Sequence, residues 1–261
     1  WHLYGVDDCI LTEDAPPDTT PPATPVVTDE GAYTLSTTQL SFSWSSSDPE
    51  SGIAGYRYAI GTSPGAADVV PWTDAGLATQ VTRTGLNLSF GQVYYASVIA
   101  RNGAGLDSAV GTSDGIRPAR QALTIAQAKS YPDGTAVRLT EKIASARIGS
   151  AFWFQEADRS SGIRVQSSTN INPGNRVTLT GLLATSGGER RLEAVEIASA
   201  TAGTPPEPLV MGNRALGGTE LNAYTPGVPG AVGPNNVGLL VTVYGRVTGI
   251  GEDYFVIDDG A

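Results

Sequence analysis

Few side chains in this sequence can carry proton or electron chemistry. It holds one histidine, His2, and one cysteine, Cys9, so no internal disulfide and no cysteine-based metal site can form. Carboxylates remain. Glu156 and Asp158 stand two apart on a predicted strand and would share its face. A glycosidase needs such a pair of acids flanking the scissile bond. Their segment, FWFQEADRSSG, reads better as a strand running into a turn. The acid clusters Asp7/Asp8, Asp48/Glu50 and Asp258/Asp259 offer oxygen ligands to calcium, but none has the spacing of a dedicated calcium loop. Asp48-Pro49-Glu50-Ser51-Gly52 is turn chemistry on its own account. No Gly-x-Ser-x-Gly elbow, phosphate loop or dinucleotide fingerprint occurs. The expectation is a protein that is not an enzyme and has no cofactor, with calcium left open at the acid clusters.

Recognition falls to the aromatic residues. In Phe152-Trp153-Phe154 the two phenylalanines point one way along a strand and the tryptophan the other. With the phenylalanines in a core, Trp153 faces outward, where it can stack on a sugar or base or dock a subunit, assisted by Arg164. The alternative is that Trp153 packs under a helix at 124–129 or against the next module, and that Arg164 is merely solvated. Trp72 follows Pro71 on a predicted sheet edge and offers the same choice between carbohydrate or subunit contact and covering the end of a core. Asn87-Leu88-Ser89 is an N-glycosylation sequon, and Thr19, Thr20 and Thr24 among prolines resemble O-glycosylated linker sequence.

These residues need elements to hold them. At 261 residues the chain has room for two compact domains. With 32 Gly, 17 Pro and many short apolar runs, it reads as all-β. LSFSW (40–44), YRYAIG (56–61) and VYYASVIARN (93–102) alternate with a period of two. AVRLTEKIASARIG, AFWFQEADRSSGIRVQ, RVTLTGLLAT and RRLEAVEIAS continue as strands. LTIAQAKSYPDG predicts one short helix, with Thr124 as cap, Gln127 completing a capping box, and Pro132 and Gly134 ending it. The opening segment 1–14 reads as a strand in which Tyr4, Val6 and Ile10 share a parity. Trp1 and Tyr4 have no domain of their own to enter, so their burial calls for a partner. The chain opens on Trp1 rather than Met, and is expected to be processed or part of something longer. No run of 18 apolar residues predicts a membrane span.

The net charge of −10 is unevenly spread: residues 1–118 carry four Arg against thirteen acids, and the remainder twelve Arg or Lys against thirteen. An acidic front half repels phosphate backbones, and the near-neutral rear half has no strong basic footprint. Nucleic acid is not the expected partner, although 119–200 carries ten bases against seven acids.

Two resemblances follow. The spacing Leu88-x-x-Gly91-x-x-Tyr94, with Ala96, Val98, Ala100 and Asn102 at every second position, resembles strand F of fibronectin type III domains. Tyr94 stands where that family has its corner tyrosine, Trp44 matches the buried tryptophan of strand B, and DPESGIAGYRYAIG looks like the B–C turn and strand C of bacterial extracellular members. The pieces DGTAVRLTEKI, FWFQEADRSSGIRV and GNRVTLTGLL resemble OB-like barrel modules of secreted bacterial proteins. Residues 239–261 repeat 137–159 across a one-residue shift, with Phe255, Val256 and Ile257 falling on Phe152, Trp153 and Phe154. The opening strand resembles the last strand of a jelly-roll module.

The expected organisation is an isolated strand (1–14), a Pro-rich linker (15–25), a fibronectin type III-like or Ig-like sandwich (26–118), an OB-like barrel (119–204), a Gly/Pro-rich linker (205–236) and the start of a second OB-like module (237–261). The resemblances imply an extracellular or cell-surface location. The functional expectation is a structural protein that assembles with copies of itself through terminal strands into a filament or fibre. A carbohydrate-binding or adhesive accessory region is the alternative, and single-stranded nucleic-acid binding by the OB-like module a weaker one.

Overall fold

The computed structural model describes residues 16–260. The expected opening strand, with Trp1, Tyr4, Val6 and Ile10, and the Asp7/Asp8 cluster lie outside the described residues.

Among the described residues the first strands in chain order are β1 (Val26–Asp29), β2 (Tyr33–Thr34), β3 (Gln39–Ser45), β4 (Ile53–Gly61), β5 (Val70–Gly76), β6 (Gln80–Thr84), β7 (Tyr95–Asn102), β8 (Gly111–Thr112) and β9 (Arg117–Pro118). They form a sheet in the order β1-β3-β6, a sheet in the order β5-β4-β7-β8, and the pair β2-β9. Then come β10 (Arg120–Ala122), helix α1 (Ile125–Lys129), β11 (Ala136–Ile148), β12 (Ala151–Gln155), β13 (Gly162–Gln166), β14 (Arg176–Ser186) and β15 (Glu189–Thr201). After these follow β16 (Leu209–Val210), a 3-10 turn (Asn213–Ala215), β17 (Val241–Thr242), β18 (Arg246–Ile250) and β19 (Phe255–Asp258). The all-β class and, among the described residues, the one short α-helix are as expected.

The chain gathers into two compact units. One takes the chain up to Thr28 with Phe42–Val81 and Tyr95–Ser113; the other takes Asp29–Ser41, Thr82–Tyr94 and Asp114 onward.

In the first unit, β4 and β7 pair antiparallel with Tyr56 opposite Ala100, Tyr58 opposite Val98 and Ile60 opposite Ala96. All six are buried, as their alternation demands. Phe42 and Trp44 of β3 point the same way, and their rings lie 5.6 Å from Tyr58 and 5.8 Å from Tyr56. Two sheets therefore face each other through an aromatic core, each large side chain contributing roughly 2 kcal/mol by burial. This is an immunoglobulin-like sandwich. Residues 16–25 lie along it: Pro22 and Pro25 are buried, and the Asn102 amide donates to Asp18 Oδ2 at 2.7 Å, the Thr20 carbonyl at 3.0 Å and Asp48 Oδ2 at 3.0 Å.

In the second unit the Tyr94 hydroxyl accepts the Ser89 N–H at 2.8 Å, the bond a corner tyrosine makes to nearby upstream backbone. The larger part of this unit is a closed sheet, β11-β12-β13-β15-β14, with β14 returning to β11 and β10 added parallel to β11. Closure needs bent strands. Bulges lie between Leu139 and Lys142, and between Ala144 and Ala146. Glu141 and Ala194 take positive φ at 53° and 48°. Phe152, Phe154, Ile163, Val165, Leu179 and Leu192 fill the interior.

Helix α1 is short, so its ends need partners. Thr124 Oγ1 accepts the Gln127 N–H, and Gln127 Oε1 accepts the Leu123 N–H. Glu156 reaches from the end of β12 to accept the Ile125 N–H at 2.6 Å.

The segment after β15 is held to the barrel at several points. Lys129 Nζ donates to the Val237 carbonyl at 2.8 Å, and the Leu240 N–H to Gln155 Oε1 at 3.3 Å. The buried Arg190 guanidinium bonds Asp133 and the Tyr131 carbonyl and lies 4.8 Å from the Tyr224 ring. Gly162 and Gly238 cross so closely that a Cβ on Gly162 would stand 2.1 Å from the Gly238 carbonyl oxygen.

Candidate functional site

The carboxylates are committed to structure. Glu156 accepts from Ile125 N–H and from Lys142 Nζ at 2.8 Å, while Asp158 Oδ1 accepts the Ser160 N–H at 2.9 Å. The Ser160 bonds hold the Asp158 carboxyl below the usual range. Asp48 accepts from Ser51, which, with the Asn102 amide, lowers its pKa, and Glu50 is exposed. Asp258 caps the Gly260 N–H, and Asp259 accepts the Asn213 N–H. Among the described residues no three His, Cys, Asp or Glu side chains gather as a metal ion would need.

Trp153 sits half-buried on β12 directly opposite Arg164 on β13. Its indole N–H donates to Glu189 Oε1 at 3.1 Å, and the Arg164 guanidinium lies 5.5 Å from its ring. Across β13 the next residue is Arg191, paired in parallel register with Arg164. A recess of about 130 Å³ beside Trp153 is lined by Ser145, Ile148, Leu239 and Leu240. An aromatic face flanked by arginine and carboxylate can stack on a ring and bond its hydroxyls. Trp72 lies half-buried on the edge strand β5. Asn87, Thr19, Thr20 and Thr24 are exposed.

The second candidate is the hairpin β18–β19. It pairs Val247 with Ile257, bulges, then pairs Gly249 with Val256 and Ile250 with Phe255. The hairpin β11–β12 pairs Ala144 with Phe154, bulges, then pairs Ala146 with Trp153 and Arg147 with Phe152. Pairs and bulge coincide one for one. In the barrel, Phe152 and Phe154 are fully buried. Their counterpart Phe255 is 63% exposed, and Val247, counterpart of the buried Ala144, is 50% exposed. Val247, Ile250, Tyr254 and Phe255 line an open hollow of about 520 Å³. The repeat is legible in the sequence at Phe255-Val256-Ile257, whereas Glu189 is not, because its partnership with Trp153 spans 36 residues and leaves no local pattern.

No family model matches the chain, and no curated protein matches it. Solved structures similar to parts of it include a titin module from human cardiac muscle, 22% identical over 37% of this chain and 88% of that one, at a TM-score of 0.26. The FN1–FN3 domains of chicken CNTN1 are 13% identical over 73% of this chain and 70% of that one, at 0.29. An alpha-L-rhamnosidase from Dictyoglumus thermophilum is 12% identical over 87% of this chain and 36% of that one, at 0.32. Likenesses at this level carry no argument, and the fold stands on the strands themselves. Among the described residues no helix is long and apolar enough to cross a membrane.

Proposed function

We propose that this chain is a non-catalytic structural module of an extracellular assembly, joined to its neighbours by strand addition and polymerising with copies of itself into a filament or surface fibre. The carrying observation is the β18–β19 hairpin with its bare apolar face. Two strands alone are marginal in water, and open strand edges pair readily with another chain. The rest of the molecule suits a spacer: a fibronectin type III-like sandwich followed by a barrel whose strand order agrees with an OB-like module. The hairpin fits the start of a second such module. Sedimentation across a concentration series tests the reading. The native chain should form concentration-dependent oligomers, and Phe255→Asp should leave monomers with an unchanged near-UV spectrum. A native chain that stays monomeric throughout removes the polymer.

A second reading, carbohydrate binding, is favoured by Trp153 with Arg164 and Glu189 around it. A glycan array should then show saturable binding that Trp153→Ala abolishes; an array without binding ends it.

A further inference from the structure

The sequence contains a single Asn-Gly pair, Asn102-Gly103, at the end of β7. An asparagine amide hydrolyses most readily ahead of glycine, because glycine has no Cβ to keep its backbone nitrogen off the preceding side chain. The sandwich nevertheless needs glycine at this position. A Cβ on Gly103 would stand 2.7 Å from the Ser51 carbonyl oxygen, and the Gly103 N–H donates to the Gly52 carbonyl at 3.0 Å. Packing against the turn between β3 and β4 therefore imposes a reactive dipeptide on a structural position.

Asn102 itself is 1% exposed and ties two parts of the first unit together. Its Oδ1 accepts the Leu106 N–H at 2.8 Å, which fixes the orientation of the amide. Its Nδ2 then faces Asp18 Oδ2 at 2.7 Å, the Thr20 carbonyl at 3.0 Å and Asp48 Oδ2 at 3.0 Å. Two hydrogens serve three acceptors. Ser51 Oγ also donates to Asp18 Oδ2, at 2.5 Å. Asp18 and Thr20 belong to the segment ahead of β1, which is held further along where the Ala23 N–H donates to the Ser47 carbonyl at 2.9 Å.

The neutral amide lets two carboxylates share this place. When the Gly103 nitrogen bonds to Asn102 Cγ, the Cγ–Nδ2 bond breaks, ammonia leaves with the Gly103 proton, and a cyclic imide remains. Water then opens the imide to an aspartyl or isoaspartyl residue. Either product replaces the shared donor by a third carboxylate facing Asp18 and Asp48, so that like charges meet where hydrogen bonds stood. In the closed arrangement the attack is blocked twice. The Gly103 N–H is engaged by Gly52, and the Asn102 side chain is pinned through both Oδ1 and Nδ2.

We propose that Asn102 is a modification site that works as a one-way latch: hydrolysis of its amide, through attack by the Gly103 nitrogen, releases residues 18–23 from the sandwich, and the bonds to Asp18, Thr20 and Asp48 set how slowly this happens.

The test follows the tryptic peptide 102–120, in which Asn102 is the one side-chain amide, by the mass gained when an amide becomes a carboxyl. The whole chain is incubated at mildly alkaline pH, native and in urea. Conversion should be roughly a hundredfold slower in the native chain. Asp18→Ala should speed the native rate about tenfold by removing one charge-assisted bond. Equal rates in native buffer and urea, or in the native chain and Asp18→Ala, overturn the proposal. Release is read by amide exchange in Asn102→Asp, where the Ala23 N–H should exchange about tenfold faster or more while amides paired between β4 and β7 keep their protection. An Ala23 amide that exchanges at the native rate overturns the latch. Should Asn102→Asp lose protection throughout β4 and β7, the converted fraction of aged native chain, separated by its added charge, takes its place; the same loss there makes Asn102 a core group and overturns the latch as well.

Discussion

The Lys142 ammonium lies 2.8 Å from the Glu156 carboxylate, with their side chains 8% and 14% exposed. Lys142 also donates to the Leu123 carbonyl, so the pair ties β11 and the end of β12 to the residue before the cap of α1. Removing one charge of a buried pair strands the other. Glu156→Gln should keep an acceptor for the Ile125 N–H yet cost about 3 kcal/mol in urea unfolding. Adding Lys142→Met to it should restore part of that loss, since the stranded ammonium is then gone.

Lys129 is expected to make stability depend on alkaline pH. Burial pushes its pKa down from 10.5 to about 8, partly countered by Glu189 and reinforced by Arg190. On raising the pH, the folded chain sheds this proton first, so the unfolded chain binds more protons across the window from about 8 to 10.5. Stability contributed by this site is therefore lowest below pH 8 and rises through that window, by about 3 kcal/mol at most. Urea midpoints taken from pH 7 to 10.5 should show the rise in the native chain and a flatter profile in Lys129→Met. Equal slopes would assign the rise to other groups.

Much of this was readable from alternation. LSFSW became β3, with Leu40, Phe42 and Trp44 buried, and VYYASVIARN contained β7. Thr124 and Gln127 marked α1 because capping is local. The features that escaped are long-range or geometric. Lys129 on a five-residue helix reads as solvated, and only the closure of the chain over it, at Val237, buries it. Asn102 shows alternation like its neighbours, whereas its bond to Asp18 spans 84 residues.

The corner tyrosine offers a smaller, sharper test. Tyr94 is buried, and its hydroxyl accepts the Ser89 N–H. Tyr94→Phe keeps the ring and removes the acceptor, leaving a backbone donor unmatched. The expected cost is about 1–2 kcal/mol, seen as a lower urea midpoint with an unchanged slope. A changed slope would mean that the substitution had altered the compactness of the chain instead.

The crossing of Gly162 and Gly238 should govern how the segment after β15 lies on the barrel. Either residue's Cβ would run into the other's backbone, at 2.1 Å in one direction and 2.7 Å in the other. The contact is backbone on backbone, so no flexible side chain can give way. Gly162→Ala should therefore lift residues 237–240 from β13 at a cost of about 1–3 kcal/mol. Leu239 and Leu240 line the recess beside Trp153, so their displacement should uncover the indole. Acrylamide should quench tryptophan fluorescence more strongly in Gly162→Ala than in the native chain, and a Trp153→Phe background should abolish the difference. Amide exchange at Leu240, whose N–H bonds Gln155 Oε1, should accelerate in parallel. Unchanged quenching together with unchanged exchange would show that the segment is held by Lys129 and Arg190 without need of the glycine crossing.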